Sequence, residues 1–306
     1  MRWASYRSGD GTTRVGLVQD TRVHGLRGDR TLVDLLADDA LDAAASEARD
    51  DPREIVPLAE AHLLAPIPRP PSVRDFMSFE EHVVTSTAAV GLVMSPVWYE
   101  QPTFYFTNPA AVLGPEDEVP IAPGSKRWDF ELEIAAVIGA GGRDIPVDEA
   151  ASHIAGYTIM CDWSARDLQE QESRVGLGPA KGKDSATTLG PYLVTPDELE
   201  SHRTARGYDL SMTADVNGRP YSAGNWSTLY WTFPQMIAYA SRGTTLHPGD
   251  VIGSGTVGTG CILELSRVHG LDAFPWLEPG DRVTLAVEGL GSLRSTVVPG
   301  VVPLPL

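Results

Sequence analysis

Apolar and polar positions alternate with a period of two through Asp129-Phe130-Glu131-Leu132-Glu133-Ile134, and the run then becomes wholly apolar to Ile138. That pattern predicts a β-strand. Phe130, Leu132, Ile134, Ala136 and Ile138 share one face, while Ala135 and Val137 continue the face that carries Glu131 and Glu133. The strand is therefore expected to be buried on both sides apart from two carboxylates. A second β-type run, Gly156 to Cys161, ends at Asp162, which is expected to cap a short helix. On that helix Asp162, Arg166 and Gln169 fall at i, i+4 and i+7 and share a face.

Elsewhere the pattern is shorter in range. Strands are expected at Trp3–Arg7, Val15–Gln19 and Val23–Leu26, separated by turn signals such as Gly9-Asp10-Gly11. A helix follows from Thr31 to Asp51. Pro66, Pro68, Pro70 and Pro71 form a stiff connector, which divides a small N-terminal β-rich domain (1–65) from the remainder (66–306). Asp75 to Thr85 reads as a helix with Asp75 and His82 two turns apart on one face. Asn217-Gly218 after a strand signals a hairpin, Thr228 to Ala240 an aromatic-rich helix broken at Pro234, and His247-Pro-Gly-Asp250 and Glu278-Pro-Gly-Asp281 two turn-to-strand units. The glycine-rich stretch Gly253 to Gly260 leads into an apolar strand containing Glu264.

Composition narrows the function classes. With 306 residues and 42% hydrophobic residues, the chain can bury a sizeable core. A formal charge of −17 disfavours nucleic acid and anionic membranes as partners, since both require a basic surface. The two cysteines, Cys161 and Cys261, lie in apolar runs and read as buried core residues suited to a reducing, cytoplasmic setting. The start lacks the apolar segment of a secretory signal, and no stretch approaches the roughly 20 apolar residues of a membrane span.

The candidate chemistry centres on carboxylates. Two like charges on a half-apolar strand resist desolvation unless a cation joins them, so Glu131, Glu133 and Asp162 read as a divalent-metal site. The alternative is that both glutamates are paired with Lys or Arg. His82 is either a surface histidine or a functional one. The loop Leu177-Gly-Pro-Ala-Lys181-Gly-Lys183 lacks the spacing of a nucleotide cradle, but a lysine held near the metal could stabilise an oxyanion. The aromatic, proline-broken segment Ser95 to Pro109 either covers a pocket or packs a loop.

Taken together, Asp75 with His82, Glu131-x-Glu133, Asp162-Trp-Ser-Ala-Arg166-Asp-x-Gln169, Leu177-Gly-Pro-x-x-Gly-Lys183 and Ser254-Gly-Thr256 before Glu264 resemble the fumarylacetoacetate hydrolase superfamily over residues 70 to 295. The resemblance implies an α+β, β-rich fold: a mixed β-sheet roll with flanking helices, usually a homodimer. It implies Mg²⁺, Mn²⁺ or Ca²⁺ held by Glu131, Glu133 and Asp162, with Asp75 completing the set as in fumarylacetoacetase. Oxygen-only ligation suits such hard cations. It also implies that His82, oriented by Glu264, activates water, that Arg166, Gln169 and Lys183 hold the oxyanion and the substrate carboxylate, and that Tyr105 and Thr256 touch substrate. The chain departs from the pattern at Met77, where fumarylacetoacetase has tyrosine. It departs again at Thr85, where the acylpyruvase branch has a glutamate, and this gives the orienting role to Glu264. The activity implied is C–C hydrolysis of a 2,4-dioxo acid or β-diketone, as in aromatic catabolism. Two other readings stand beside it: decarboxylation, tautomerisation or hydration of a related 2-oxo acid, and a non-catalytic metal-binding scaffold.

Overall fold

The computed structural model of the chain describes residues 1–89 and 91–305. In chain order its principal elements are β1 (Arg2–Arg7), β2 (Thr13–Gln19), β3 (Arg22–Gly25), α1 (Leu32–Ala37), α2 (Leu41–Asp50), β4 (Glu54–Pro57), β5 (His62–Leu64) and β6 (Val73–Phe76). There follow α3 (Glu80–Ala89), β7 (Phe104–Thr107), β8 (Leu132–Ile138), β9 (Ile154–Asp162), α4 (Arg166–Ser173), β10 (Thr187–Val194), β11 (Ser211–Val216) and β12 (Arg219–Asn225). The chain continues with α5 (Phe233–Ala240), β13 (Val251–Gly253), α6 (Ile262–His269), β14 (Arg282–Val287) and β15 (Gly291–Val298). This is the strand-rich α+β architecture that the family resemblance implies.

A twelve-stranded sheet runs β4-β3-β2-β1-β10-β9-β8-β13-β6-β7, with β5 and Val112–Leu113 pairing at its sides. Its strands are antiparallel along this path except that β13 runs parallel to β6. A five-stranded sheet holds β12-β11-β14-β15 and Glu118–Pro120. The strands of the N-terminal unit join the large sheet through β1 and β10, where Trp3 pairs with Leu193.

The two faces of β8 separate two cores, as its alternation requires. Phe130, Leu132, Ile134, Ala136 and Ile138 pack in one cluster with Met212, Leu285 and Val283 of the five-stranded sheet and with α5. Ala135 and Val137 pack in another with Leu32, Leu35 and Leu36 of α1 and the alanines of α2. Burial of both faces is the main stabilising term, because each leucine- or phenylalanine-sized side chain removed from water contributes about 1.5–3 kcal/mol. Glu133 lies on the face of Ala135 near the start of β8, but the expected strand is broken before it. Glu131 precedes β8 and is bridged to Cys261, and Trp128–Asp129 belong to a separate two-stranded sheet, because Asp129 is turned to the start of α6.

Several elements differ from the sequence pattern. The expected Thr31–Asp51 helix is two, α1 and α2, because Asp39 adopts a left-handed φ of 51° between them. The expected Asp75–Thr85 helix is a strand followed by a helix: all four residues of β6 are buried between β13 and β7, and α3 begins only at Glu80-Glu81. Pro234 does not break a helix. It stands in the first turn of α5, where its missing N–H costs nothing, and Thr232 and Gln235 close a capping box around it. Asp162 ends β9 but caps no helix, since α4 starts four residues later with Ala165 as its cap. Glu264 lies on helix α6 and not on a strand. The hairpin is present, with Asn217 and Gly218 at φ 55° and 80°. Both turn-to-strand units are closed the same way, Asp250 accepting from the His247 N–H and Asp281 from the Glu278 N–H.

Candidate active site

Sheet register brings the carboxylates together. Antiparallel pairing of β8 with β9 sets Leu132 opposite Cys161, so Asp162 stands beside Glu131 at the same end of the sheet. Pairing of β8 with β13 sets Ala135 opposite Gly253, and the parallel pair β13–β6 sets Gly253 opposite Asp75. Asp75 thereby arrives next to Glu133. Two glycines make this approach possible. A Cβ on Gly253 would sit 2.5 Å from Asp75 Oδ1. Gly255 has a φ of +77° and donates its N–H to the same oxygen at 3.1 Å, and a Cβ there would meet the Phe76 carbonyl at 2.2 Å. Oxygens of Asp75, Glu131, Glu133 and Asp162 all come within 4.8 Å of one another.

These four buried acids share two cations unequally. Lys183 Nζ donates to both Glu131 and Asp162, and Arg166 donates to Glu131 at 2.7 Å and to Asp129 at 2.8 Å. Burial opposes a charge on Glu131, but Lys183 and Arg166 outweigh it and hold this carboxylate below its usual range. Asp75 and Glu133 feel Lys183 only at a distance, with no bond to a cation among the described residues. Burial first, and the neighbouring carboxylates second, push both well above the usual range. Asp162 is also raised, burial outweighing Lys183. Thus the alternative in which both glutamates are paired with Lys or Arg holds for Glu131 and, among the described residues, fails for Glu133, whose Oε1 accepts from the Thr256 hydroxyl at 3.4 Å. Among the described residues, Glu133 Oε2 and Asp162 Oδ1 are buried without a hydrogen-bond partner. Orphaned carboxylate oxygens in an all-oxygen set are what a hard divalent cation would satisfy, so the donor set fits such an ion.

The second functional group lies across the same cavity. His82, on α3, is buried, and its Nδ1 is 2.8 Å from Glu264 Oε2 on α6. A protonated Nδ1 donating to Glu264 leaves Nε2 as the free ring nitrogen. Glu264 is held in turn by the Thr259 N–H at 3.2 Å and the Cys261 thiol at 3.3 Å. Helix α6 is anchored by Asp129, whose two oxygens accept from the N–H groups of Ile262 (2.7 Å) and Leu263 (3.0 Å) while also accepting from Arg166. Asp129 is the site residue that sequence reasoning missed. Its signal was its place in the period-two series with Glu131 and Glu133.

A cavity of about 700 Å³ is lined by Asp75, Glu131, Glu133, His82 and Lys183, together with Arg166, Gln169, Tyr105 and Thr256. All the sequence-nominated site residues except Asp162 and Glu264 line it directly. Those two are fully buried immediately behind it, bonded to Lys183 and His82. Gln169 accepts from Arg166 Nη1 at 3.3 Å, which leaves its amide nitrogen free to donate. The Tyr105 hydroxyl donates to Asp162; burial, then the charges of Asp162 and Asp75, hold its pKa well above the usual phenol value, so it stays protonated.

Comparison with known proteins bears on this geometry. Residues 72–298 match the family profile described as fumarylacetoacetate (FAA) hydrolase C-terminal, and residues 1–66 match one described as Rv2993c-like, N-terminal. Fumarylacetoacetase of Arabidopsis thaliana is 33% identical over 247 residues, a match covering 63% of this chain and 58% of the relative. Human mitochondrial oxaloacetate tautomerase FAHD2A is 31% identical over 245 residues, covering 80% of this chain and 72% of the relative. A solved fumarylacetoacetate hydrolase from psychrophilic Exiguobacterium antarcticum superposes with a TM-score of 0.74 at 26% identity, over 98% of this chain and 99% of that one. Maleylpyruvate hydrolase of Sphingobium sp. SYK-6, solved with manganese(II) and pyruvate, shares the fold at a TM-score of 0.73 and 23% identity, over 98% and 100% of the two chains.

Proposed function

The chain belongs to the fumarylacetoacetate hydrolase family, and from that premise we propose that it is a divalent-metal-dependent hydrolase cleaving a C–C bond in a 2,4-dioxo acid or β-diketone. The observation that carries this reading is the buried His82–Glu264 pair on the wall of the cavity that also holds the four-carboxylate cluster. A bound Mg²⁺, Mn²⁺ or Ca²⁺, held by Asp75, Glu131, Glu133 and Asp162, would supply Lewis-acid polarisation of the dicarbonyl oxygens and tolerance of the enolate charge. His82, through Nε2, takes a proton from water, and Glu264 stabilises the imidazolium that results. The water oxygen attacks the carbonyl remote from the carboxylate. The bond between that carbon and the adjacent methylene breaks, and the methylene carbon is then protonated. Gln169 donates its free amide to the substrate carboxylate, and Lys183, beside Glu131 and Asp162, balances developing negative charge.

A second reading is tautomerisation, isomerisation or decarboxylation of a related 2-oxo acid, favoured by the identity shared with an oxaloacetate tautomerase. His82 would then move a proton on the substrate itself and no water would be consumed. The deciding experiment incubates Mn²⁺-loaded protein with a panel of 2,4-dioxo acids and with oxaloacetate in ¹⁸O-water and measures product mass. Two acids, with ¹⁸O in the new carboxylate, are expected; an isomer or CO₂ as sole product would transfer the protein to the second reading. Turnover by neither route, with Mn²⁺ still bound, would leave a metal-binding scaffold.

Metal binding has its own expected signature. At Mn²⁺ one hundred times its dissociation constant, unfolding should cost about 2.7 kcal/mol more than in EDTA, and Glu133→Ala should abolish the difference. The pH dependence follows from Asp75 and Glu133. Their pKa values are raised in the folded protein, so it binds more protons than the unfolded chain, and stability without metal falls as pH rises above the ordinary carboxylate range. Mn²⁺ replaces those protons, so its stabilising effect should grow between about pH 5 and pH 8. A pH-independent effect would count against these carboxylates as ligands.

A further inference from the structure

Resting on the reading above, we propose that the site selects substrates whose acyl arm, the part remote from the carboxylate, is an uncharged hydrocarbon group, and that Met77 is the residue that sets this preference. The cavity has two unlike sides. One holds the acids with Lys183, Arg166 and Gln169; the other is built by Phe76, Met77, Leu92, Phe104 and Leu263. The aromatic part of that wall is itself packed, Phe76 and Phe104 standing 5.0 Å apart between ring centroids.

Met77 is fixed in the wall by its backbone. Its carbonyl accepts from the Trp98 indole at 2.7 Å, and Gly255 lies so close behind it that a Cβ there would come within 2.9 Å of Met77 Cα. Met77 is 39% exposed and lines the cavity, so it is an apolar wall residue and not a buried core contact.

The cations in the lining are already engaged. Arg166 is bonded to Asp129, Glu131 and Gln169, and Lys183 to Glu131 and Asp162. Arg127, the remaining guanidinium, donates to Glu170 and to the Arg166 carbonyl. A second carboxylate on the substrate would therefore have to share Arg127 with Glu170 or lie unpaired against apolar side chains, which is costly. A hydrocarbon arm meets neither obstacle.

The test compares binding of two 2-oxo acids of matched size that have no 1,3-dicarbonyl and so cannot be cleaved. These are 5-methyl-2-oxohexanoate and 2-oxoglutarate, which carry an isopropyl group and a carboxylate at the same end. Calorimetry on the Mn²⁺-loaded protein is expected to give at least about tenfold tighter binding of the isopropyl compound. Met77→Arg should bring the ratio to one or below by supplying a free cation to the arm. Equal or tighter binding of 2-oxoglutarate by the wild-type protein would overturn the proposal and point to Arg127 as the anchor of a diacid, and failure of both acids to bind would overturn it too. If the isopropyl compound binds as expected while no 2,4-dioxo acid is turned over, the apolar preference stands and the hydrolytic reading falls.

Discussion

Replacement of His82 by alanine is expected to lower kcat by about 10²–10⁴-fold, the range for losing a positioned general base, while Mn²⁺ affinity changes little. The separation follows from the geometry. His82 is bonded to Glu264 and belongs to a different cluster from the four acids, so its loss removes no proposed ligand. Glu264→Gln should be nearly as damaging, because an amide can meet Nδ1 with its N–H₂ group, favour the wrong tautomer and offer no charge to an imidazolium. The two changes should be far from additive, since both disable one proton-transfer unit. Kinetics of the two single variants and the double variant, with Mn²⁺ titrations of each, make the measurement. Full activity in His82→Ala would end the water-activation scheme.

How much of this site could be read from the chain depends on where the determining contacts lie. The strand carrying Glu133 was legible from Leu132 to Ile138 because alternation is a local property, and the two cores on its faces follow from it. The break that leaves Glu131 just before it is instead set by contacts with the distant Cys261 and α6. Arg166 and Gln169 line the cavity and Asp162 lies just behind it, although the helix supposed to gather the three starts at Arg166. Their convergence comes from the end of β9 and from Arg166 reaching back to Glu131, neither of which is a helical spacing. Asp75 was misplaced on a helix because β6 is buried on both faces, and a strand without a solvent face has no alternation to betray it. Glu264 was misread for a related reason. The start of α6 is set by Asp129, 133 residues away along the chain from Ile262, whose carboxylate meets the first N–H groups of the helix. A cap supplied from so far away leaves no trace in the residues next to the helix.

Lys183→Met is expected to destabilise the metal-free protein by about 3–5 kcal/mol near neutral pH, the usual cost of removing one partner from a buried ion pair. Lys183 is buried and bonded to Glu131 and Asp162 together; without it, four buried carboxylates and Asp129 would have Arg166 alone. The chain's recourse is to take up protons. With the ammonium gone, the pKa values of Glu131 and Asp162 must rise, so the folded variant holds protons that the unfolded chain has already released. By linkage the penalty should be small near pH 5 and should grow as pH increases. A divalent cation offers the same compensation without protons. Saturating Mn²⁺ should therefore recover a larger increment of stability in the variant than in the wild type, whereas kcat should remain low because the ammonium beside the developing oxyanion is still missing. Denaturant unfolding at pH 5.5 and 7.5, in EDTA and in Mn²⁺, separates these effects. If the variant matched the wild type in EDTA at pH 7.5, Lys183 would not be balancing these acids, and the charge arrangement derived for the cluster would have to be abandoned.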